Sequence, residues 1–538
     1  MPENWPEMTG DRSLMRIGTK TVDDAACPGY LAAKARPAMW PSRRSIARKP
    51  RLDAFPLGAV MSAVDDVEFR RVPVTTAFGR IGLMGRPLHA GAAHWARQAA
   101  SVYLDAAARI DTEAVTPVPH YWVVQRTSTQ KSWEMYAWGR RYESPDGAVR
   151  ELRLIGFGEA EDHHRAPANV AIAAYSAAFG VPASWPERWS EPFSPTAVGS
   201  SQIQRVRVMF IGLKDGSHAV LFDGTPDEAE ALYATHSRAL VRLISLGGPA
   251  EPGAGCAGCK LVTACNALTR IPGILGLTDP AAPLRTWSVT NGRSHSVCPA
   301  QDYLLRLHLP REDEYSPPAV RGQAVHEWLR ARHSGPERLA CTGSDAPSPP
   351  DDWQAGKWRV TGSQAAAGAL MVARHAETCP FQNADQITEV RLEPTLTVHD
   401  TAANVIVIAK PDMLYLEEGA WVYRETKTRW RLPGSGQAPD LLRDFPQLAL
   451  ATVLMAENAL GGKPVGQRIE LELLTRDGSD VLLIDPADPA EVSRARTVLR
   501  ALAAPWHGDE SAPARPGAHC AACPVRRWCP DARVGAAS

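Results

Sequence analysis

No run of about 18 consecutive apolar residues, the length a helix needs to cross a bilayer, occurs in this 538-residue chain. The N-terminal text MPENWPEMTGDRSLMRIG also lacks the basic start and apolar core of a secretory leader. Both absences lead to the expectation of a soluble, cytoplasmic protein that uses no membrane. Neither sign of charge is in excess, with 59 Lys and Arg against 59 Asp and Glu, so any surface for nucleic acid must be a local patch. No Gly-x4-Gly-Lys-Ser/Thr loop is present, which excludes a recognisable ATP motor. Ten cysteines are too few for a disulfide scaffold in a chain of this length. Thiols stay reduced in the cytosol, so cysteines that cluster there point to metal. Hydrophobic residues, at 44%, are plentiful enough for roughly two to four domains with their own cores.

The cysteines do cluster, and the clustering repeats. GCAGCKLVTAC sets Cys256, Cys259 and Cys265 in a C-x2-C-x5-C pattern, and HCAACPVRRWC sets Cys520, Cys523 and Cys529 in the same pattern. Each triplet lacks a fourth ligand nearby, yet a lone Cys-Pro stands far upstream of each, at Cys27 and Cys298. The text between repeats as well. A G-x3-H follows each lone cysteine (Gly85 and His89, Gly322 and His326) and opens a stretch of helical periodicity. Then come a strand–turn–strand segment, a second hairpin turning at Asp-Gly, and a helix entered through proline and acidic residues. Five features in the same order indicate an internal duplication. The expected domains are 1–285 and 286–538, joined near LTDPAAPLRTWSVTNG.

The segment PDMLYLEEGAWVYRETKT, residues 411–428, reads as two short strands over an acidic turn, with Asp412 at its start and Glu425-x-Lys427 near its end. Alternation along a strand sends Glu425 and Lys427 to one face. Laying Gly147 of the first half on Gly419 of the second places Arg140 on Asp412, Arg153 on Glu425 and Ile155 on Lys427. One copy thus carries a full set of carboxylates and a lysine, and the other replaces the carboxylates by arginines. That pattern suggests one working site and one decayed site.

The ordered set Cys298, His326, Asp412, Glu425-x-Lys427, Gln447, Cys520, Cys523 and Cys529 resembles the PD-(D/E)xK nucleases of the RecB-like branch. It is closest in pattern to the iron-sulfur members, such as the AddB nuclease domain and the exonucleases that accompany CRISPR systems. Ala451 stands where that family often has a tyrosine four residues after the glutamine. The resemblance implies an α/β fold of two tandem restriction-endonuclease-like domains, each a central mixed sheet flanked by helices and clasped by four cysteines, the first copy being inactive. It implies a metal-dependent DNA nuclease acting in repair, recombination or anti-phage defence, on single- or double-stranded DNA, with any helicase supplied by another subunit.

Phosphodiester hydrolysis needs a cation to neutralise the scissile phosphate and lower the pKa of the attacking water. Mg2+ or Mn2+ prefers oxygen ligands, which Asp412, Glu425 and the main-chain carbonyl of Thr426 could supply. The resemblance adds His326 to the metal shell, Lys427 beside the water and Gln447 toward substrate. It also assigns [4Fe-4S] clusters to Cys298, Cys520, Cys523 and Cys529 and to Cys27, Cys256, Cys259 and Cys265; structural zinc more often joins two close pairs on one knuckle. Cys341 and Cys379 are left over, expected to pack or face solvent. The basic insert around Lys34, Arg36, Arg43, Arg44, Arg48, Lys49 and Arg51 reads equally as a phosphate-tracking surface or a solvated loop. The competing reading of the whole is a non-catalytic iron-sulfur scaffold within a larger complex.

Overall fold

A computed structural model describes residues 7–23, 27–42, 46–83, 85–110, 115–128, 131–161, 166–196, 202–312, 316–335, 337–430 and 440–532. Arg43 and Arg44 of the basic insert lie outside the described residues. The fold is mixed α/β, with several sheets flanked by helices. By contact it divides into two compact units, one of Met1–Leu268 with Val297–Glu312 and Asp509–Ser538, the other of Thr269–Ser296 with Asp313–Gly508. This division differs from a cut at residue 285. Both four-cysteine sets fall in the first unit and the 411–428 hairpin in the second.

In the first unit the helices used below are α1 (Pro56–Glu68), α2 (Ala90–Arg109), α3 (Pro167–Phe179) and α4 (Pro226–His236). A five-stranded sheet is built from β1 (Thr116–Pro117), β2 (Arg140–Glu143), β3 (Val149–Gly156), β4 (Arg205–Gly212) and β5 (His218–Gly224) in the order β5-β4-β3-β2-β1. Only the β3–β4 pair is parallel. It is bridged by α3, which packs on both strands. The β4–β5 hairpin turns through Asp215 and Gly216, whose φ of 80° suits glycine. Thr225 and Glu228 then close a reciprocal capping box that starts α4.

The second unit has helices α5 (Pro317–His333), α6 (Gly362–His375), α7 (Pro446–Ala456) and α8 (Pro489–Gly508). Its sheet comprises β6 (Ile387–Leu392), β7 (Met413–Glu417), β8 (Ala420–Thr428), β9 (Arg468–Leu474) and β10 (Ser479–Ile484) in the order β6-β7-β8-β9-β10. Again one pair, β8–β9, is parallel and the others antiparallel. Helix α7 lies between β8 and β9 in the chain. It is apolar on nearly every side because it is covered on nearly every side. The β7–β8 turn is a tight two-residue one, with Glu418 and Gly419 both at positive φ, 49° and 86°. Along β8, Trp421 and Tyr423 enter the main core of this unit, while Val422 joins the separate cluster of Met413 and Tyr415. Among the described residues no helix is long and apolar enough to cross a membrane.

Candidate active site

The β7–β8 register pairs Met413 with Arg424, so Asp412, just ahead of β7, stands opposite Glu425. One Asp412 oxygen accepts the Thr426 amide at 2.8 Å, which locks the carboxylate against the strand that bears Glu425. Its other oxygen lies 3.2 Å from His326 Nδ1. Lys427 Nζ donates to Glu425 Oε2 at 2.7 Å and to the Thr426 carbonyl at 3.1 Å, and lies 3.6 Å from Asp412 Oδ2. His326 reaches this point because α5 passes close over the end of β8. A Cβ at Gly322 would meet Thr428 Oγ1 at 3.0 Å, so the glycine four residues before the histidine allows the approach.

The structure therefore brings together Asp412, Glu425, Thr426, Lys427 and His326. Glu425 is buried, whereas His326, Asp412 and Lys427 keep 22%, 27% and 31% of their side chains exposed, so the group opens to solvent on one side. Gln447 sits in the first turn of α7, half-buried, and makes no hydrogen bond to this group among the described residues. His89 differs from His326 in placement. It caps α2, accepts the Gly91 amide at 3.0 Å and contacts the Ala512 carbonyl at 2.9 Å.

Burial pushes the Glu425 carboxyl up to about 7, and the Lys427 ammonium only partly offsets this. Burial also opposes ionisation of Asp412, but the hydrogen bond from His326 and the Lys427 charge outweigh it and hold its pKa low. Lys427 is held above its ordinary value, since Glu425 and Asp412 outweigh its own burial. The donor set is two carboxylates and a carbonyl with one imidazole at the rim. Hard oxygen donors of this kind fit Mg2+ or Mn2+, and the ammonium lying between both carboxylates shows that the pocket favours positive charge.

The equivalent hairpin of the first unit has the same register, with Arg140 directly opposite Arg153. Here the site is filled. Arg140 and Arg153 are 2% and 3% exposed. Arg140 forms ion pairs with Asp65 and Glu68 of α1. Arg153 donates to Glu151 at 2.6 Å and lies 3.9 Å over the Tyr142 ring. Tyr142 in turn donates to Glu68 at 2.6 Å. Neither guanidinium faces solvent, so neither is placed to meet a phosphate. In the basic insert Arg36 is buried on the Ala32 and Ser245 carbonyls, Lys34 donates to the Lys20 carbonyl, and Arg48 lies 3.5 Å from Glu510.

The two cysteine sets each line one cavity, with matching amide donors. Cys27 Sγ accepts from Glu251 N and Cys298 Sγ from Arg515 N, each donor five residues before its triplet. Cys256 and Cys520 accept from Gly253 N and Gly517 N, three residues before each. Burial pushes Cys259 up to about 12, a cost that a bound metal would remove by holding the thiolate. Cys341 and Cys379, left over in the sequence, are both buried and meet His333 and His375. Sequence reasoning missed that group. The available signal was the spacing His333-x7-Cys341 and His375-x3-Cys379.

Residues 286–530 match the family model of the PD-(D/E)XK nuclease superfamily. No curated protein matches the chain. Among solved structures, a protein from Eubacterium rectale described as "Putative exonuclease" is 12% identical, with 42% of this chain and 81% of that chain covered at a TM-score of 0.29.

Proposed function

From a PD-(D/E)XK domain that carries a formed acidic pocket, we propose that the chain is a cytoplasmic, metal-dependent DNA nuclease of the iron-sulfur RecB-like type, with its catalytic centre in the second half only. The observation that carries this is the convergence of Asp412, Glu425, Lys427 and His326 at the end of the β7–β8 hairpin inside the matched segment. A divalent cation bound there supplies charge neutralisation for the scissile phosphate and a water of lowered pKa. Asp412, Glu425, the Thr426 carbonyl and His326 are the groups that would hold it. Lys427 stays protonated beside two carboxylates, so its role is to orient the water and face the developing phosphate charge. Gln447 is proposed as a substrate contact.

The first half is proposed as a duplicate of the second that has lost its site. Identical strand order, the single parallel pair at the same place and the shared Arg140–Arg153 and Asp412–Glu425 register support this. The two cysteine sets, alike in their amide donors, are proposed to hold [4Fe-4S] clusters as clasps rather than redox centres. With no ATP-binding loop in the chain, unwinding would come from a helicase or another subunit of a repair or defence complex.

The test is a cleavage assay with anaerobically purified full-length protein on labelled single- and double-stranded DNA, with Mg2+, Mn2+ or chelator. Metal-dependent cutting that Glu425→Ala abolishes is the expected result. If iron-replete protein cuts no substrate with either ion, the non-catalytic scaffold reading replaces this one.

A further inference from the structure

We propose that His333, Cys341, His375 and Cys379 form a tetrahedral zinc site, distinct from both four-cysteine sets and adjoining the catalytic group, since one cavity is lined by His326, Asp412 and Thr426 together with His333 and His375. Each histidine is the last residue of its helix, α5 or α6. After each, the chain returns a cysteine, Cys341 from the loop beyond α5 and Cys379 at the start of the short turn Pro380–Gln386. All four side chains are buried. Their four ligand atoms lie within 4.8 Å of one another.

The distances are those of ligands around one small ion. Zinc bonds of about 2.05 Å to nitrogen and about 2.3 Å to sulfur in a tetrahedron put two nitrogens roughly 3.3 Å apart and a nitrogen and a sulfur roughly 3.6 Å apart. The His333 and His375 Nε2 atoms are 3.3 Å apart, and His333 Nε2 lies 3.3 Å from Cys341 Sγ and 3.8 Å from Cys379 Sγ. Two imidazoles and two thiols are a costly way to fill a core unless their polar atoms are satisfied. A shared cation turns them into a satisfied set, and two sulfur with two nitrogen donors is a common choice for structural zinc.

The surroundings are built for it. His375 Nδ1 meets Glu472 Oε1 at 2.7 Å, which leaves Nε2 as the ligand atom, the carboxylate–histidine support typical of zinc centres. The Cys341 amide donates to Cys379 Sγ at 3.4 Å, stabilising a thiolate. Glu472 also accepts from Thr426 Oγ1 at 2.9 Å and from Thr378 Oγ1 at 2.6 Å, and pairs with Arg424 at 2.9 Å. Zinc would thus pin the ends of α5 and α6 to β8 and β9. His326 lies two turns before His333 on α5, so the same anchor fixes the helix that presents His326 to Asp412.

Metal content tests this whether or not the chain cuts DNA. Full-length protein purified anaerobically should contain about one more zinc per chain than the His375→Ala/Cys379→Ser variant, while Asp412→Ala retains it. X-ray absorption at the zinc edge of the wild-type protein needs no variant to fold. It should show nitrogen at roughly 2.0 Å together with sulfur at roughly 2.3 Å. An all-sulfur shell, no zinc in the wild-type protein, or a Cys341–Cys379 disulfide found by mass spectrometry under non-reducing conditions would overturn the proposal.

Discussion

The two five-stranded sheets share strand order, strand direction and the register of the hairpin at their centre, yet they put opposite charges at the same two backbone positions. In the second sheet Asp412 and Glu425 face each other with Lys427 between them, and three of the group's side chains remain partly open. In the first, Arg140 and Arg153 face each other and are closed off by Asp65, Glu68 and Glu151. One strand arrangement thus accommodates either a partly open acidic pocket or a closed ion-pair network. Asp412 and Glu425 have Lys427 and His326 against them, whereas Arg140 and Arg153 draw their carboxylates from α1 and β3. The space at these positions in the first sheet is taken up by a buried ion-pair network.

Breaking the comparison is most direct at the second sheet. Glu425→Ala should slow single-turnover DNA cleavage by roughly a hundredfold or more, because the cation loses a ligand and the phosphate charge is left uncompensated. Lys427→Ala should match it while Mg2+ affinity changes little. The reciprocal change, Arg140→Ala, should leave the cleavage rate alone and cost about 2 kcal/mol of stability, because Glu68 is left largely buried without its partner while Asp65 can rehydrate. A thermal melt falling by several degrees with unaltered single-turnover kinetics is the expected pair of results.

A smaller effect follows from the raised Glu425 carboxyl. Protons compete with the cation for a group that ionises near pH 7, so deprotonation at higher pH favours binding. Mg2+ affinity measured by calorimetry should tighten roughly tenfold between pH 6 and 8. Asp412 adds little to this dependence, since its pKa is held low. The smallest contrast concerns the two cysteine sets, whose amide donors match. Cys259→Ser and Cys523→Ser should each remove about half of the iron counted in anaerobic protein, whereas unequal losses would show that only one set holds a cluster.

Much of this was legible in the sequence for a physical reason: the signals were local. Strand alternation fixed Glu425 and Lys427 on one face, and a two-residue turn at Glu418 and Gly419 fixed Asp412 opposite Glu425. The short spacing within each cysteine triplet was visible for the same reason. What stayed hidden depends on contacts distant in sequence. Arg140 finds Asp65 and Glu68 across more than seventy residues. His333 and Cys341 meet His375 and Cys379 only because α5 and α6 end at one place. The C-terminal cysteine segment falls in the first compact unit through packing of Trp528 and Val525 with Leu304 and the apolar face of α2. No composition or periodicity in 509–532 announces that packing.

If the cation site lies in the second sheet alone, divalent-metal binding depends on Asp412 and not on Arg140. Mn2+ titration of the full-length protein, followed by electron paramagnetic resonance, tests it most directly. Tight Mn2+ binding should disappear in Asp412→Ala and be unchanged in Arg140→Ala. Mn2+ binding that survives Asp412→Ala, or that is lost in Arg140→Ala while the protein remains folded, would contradict it.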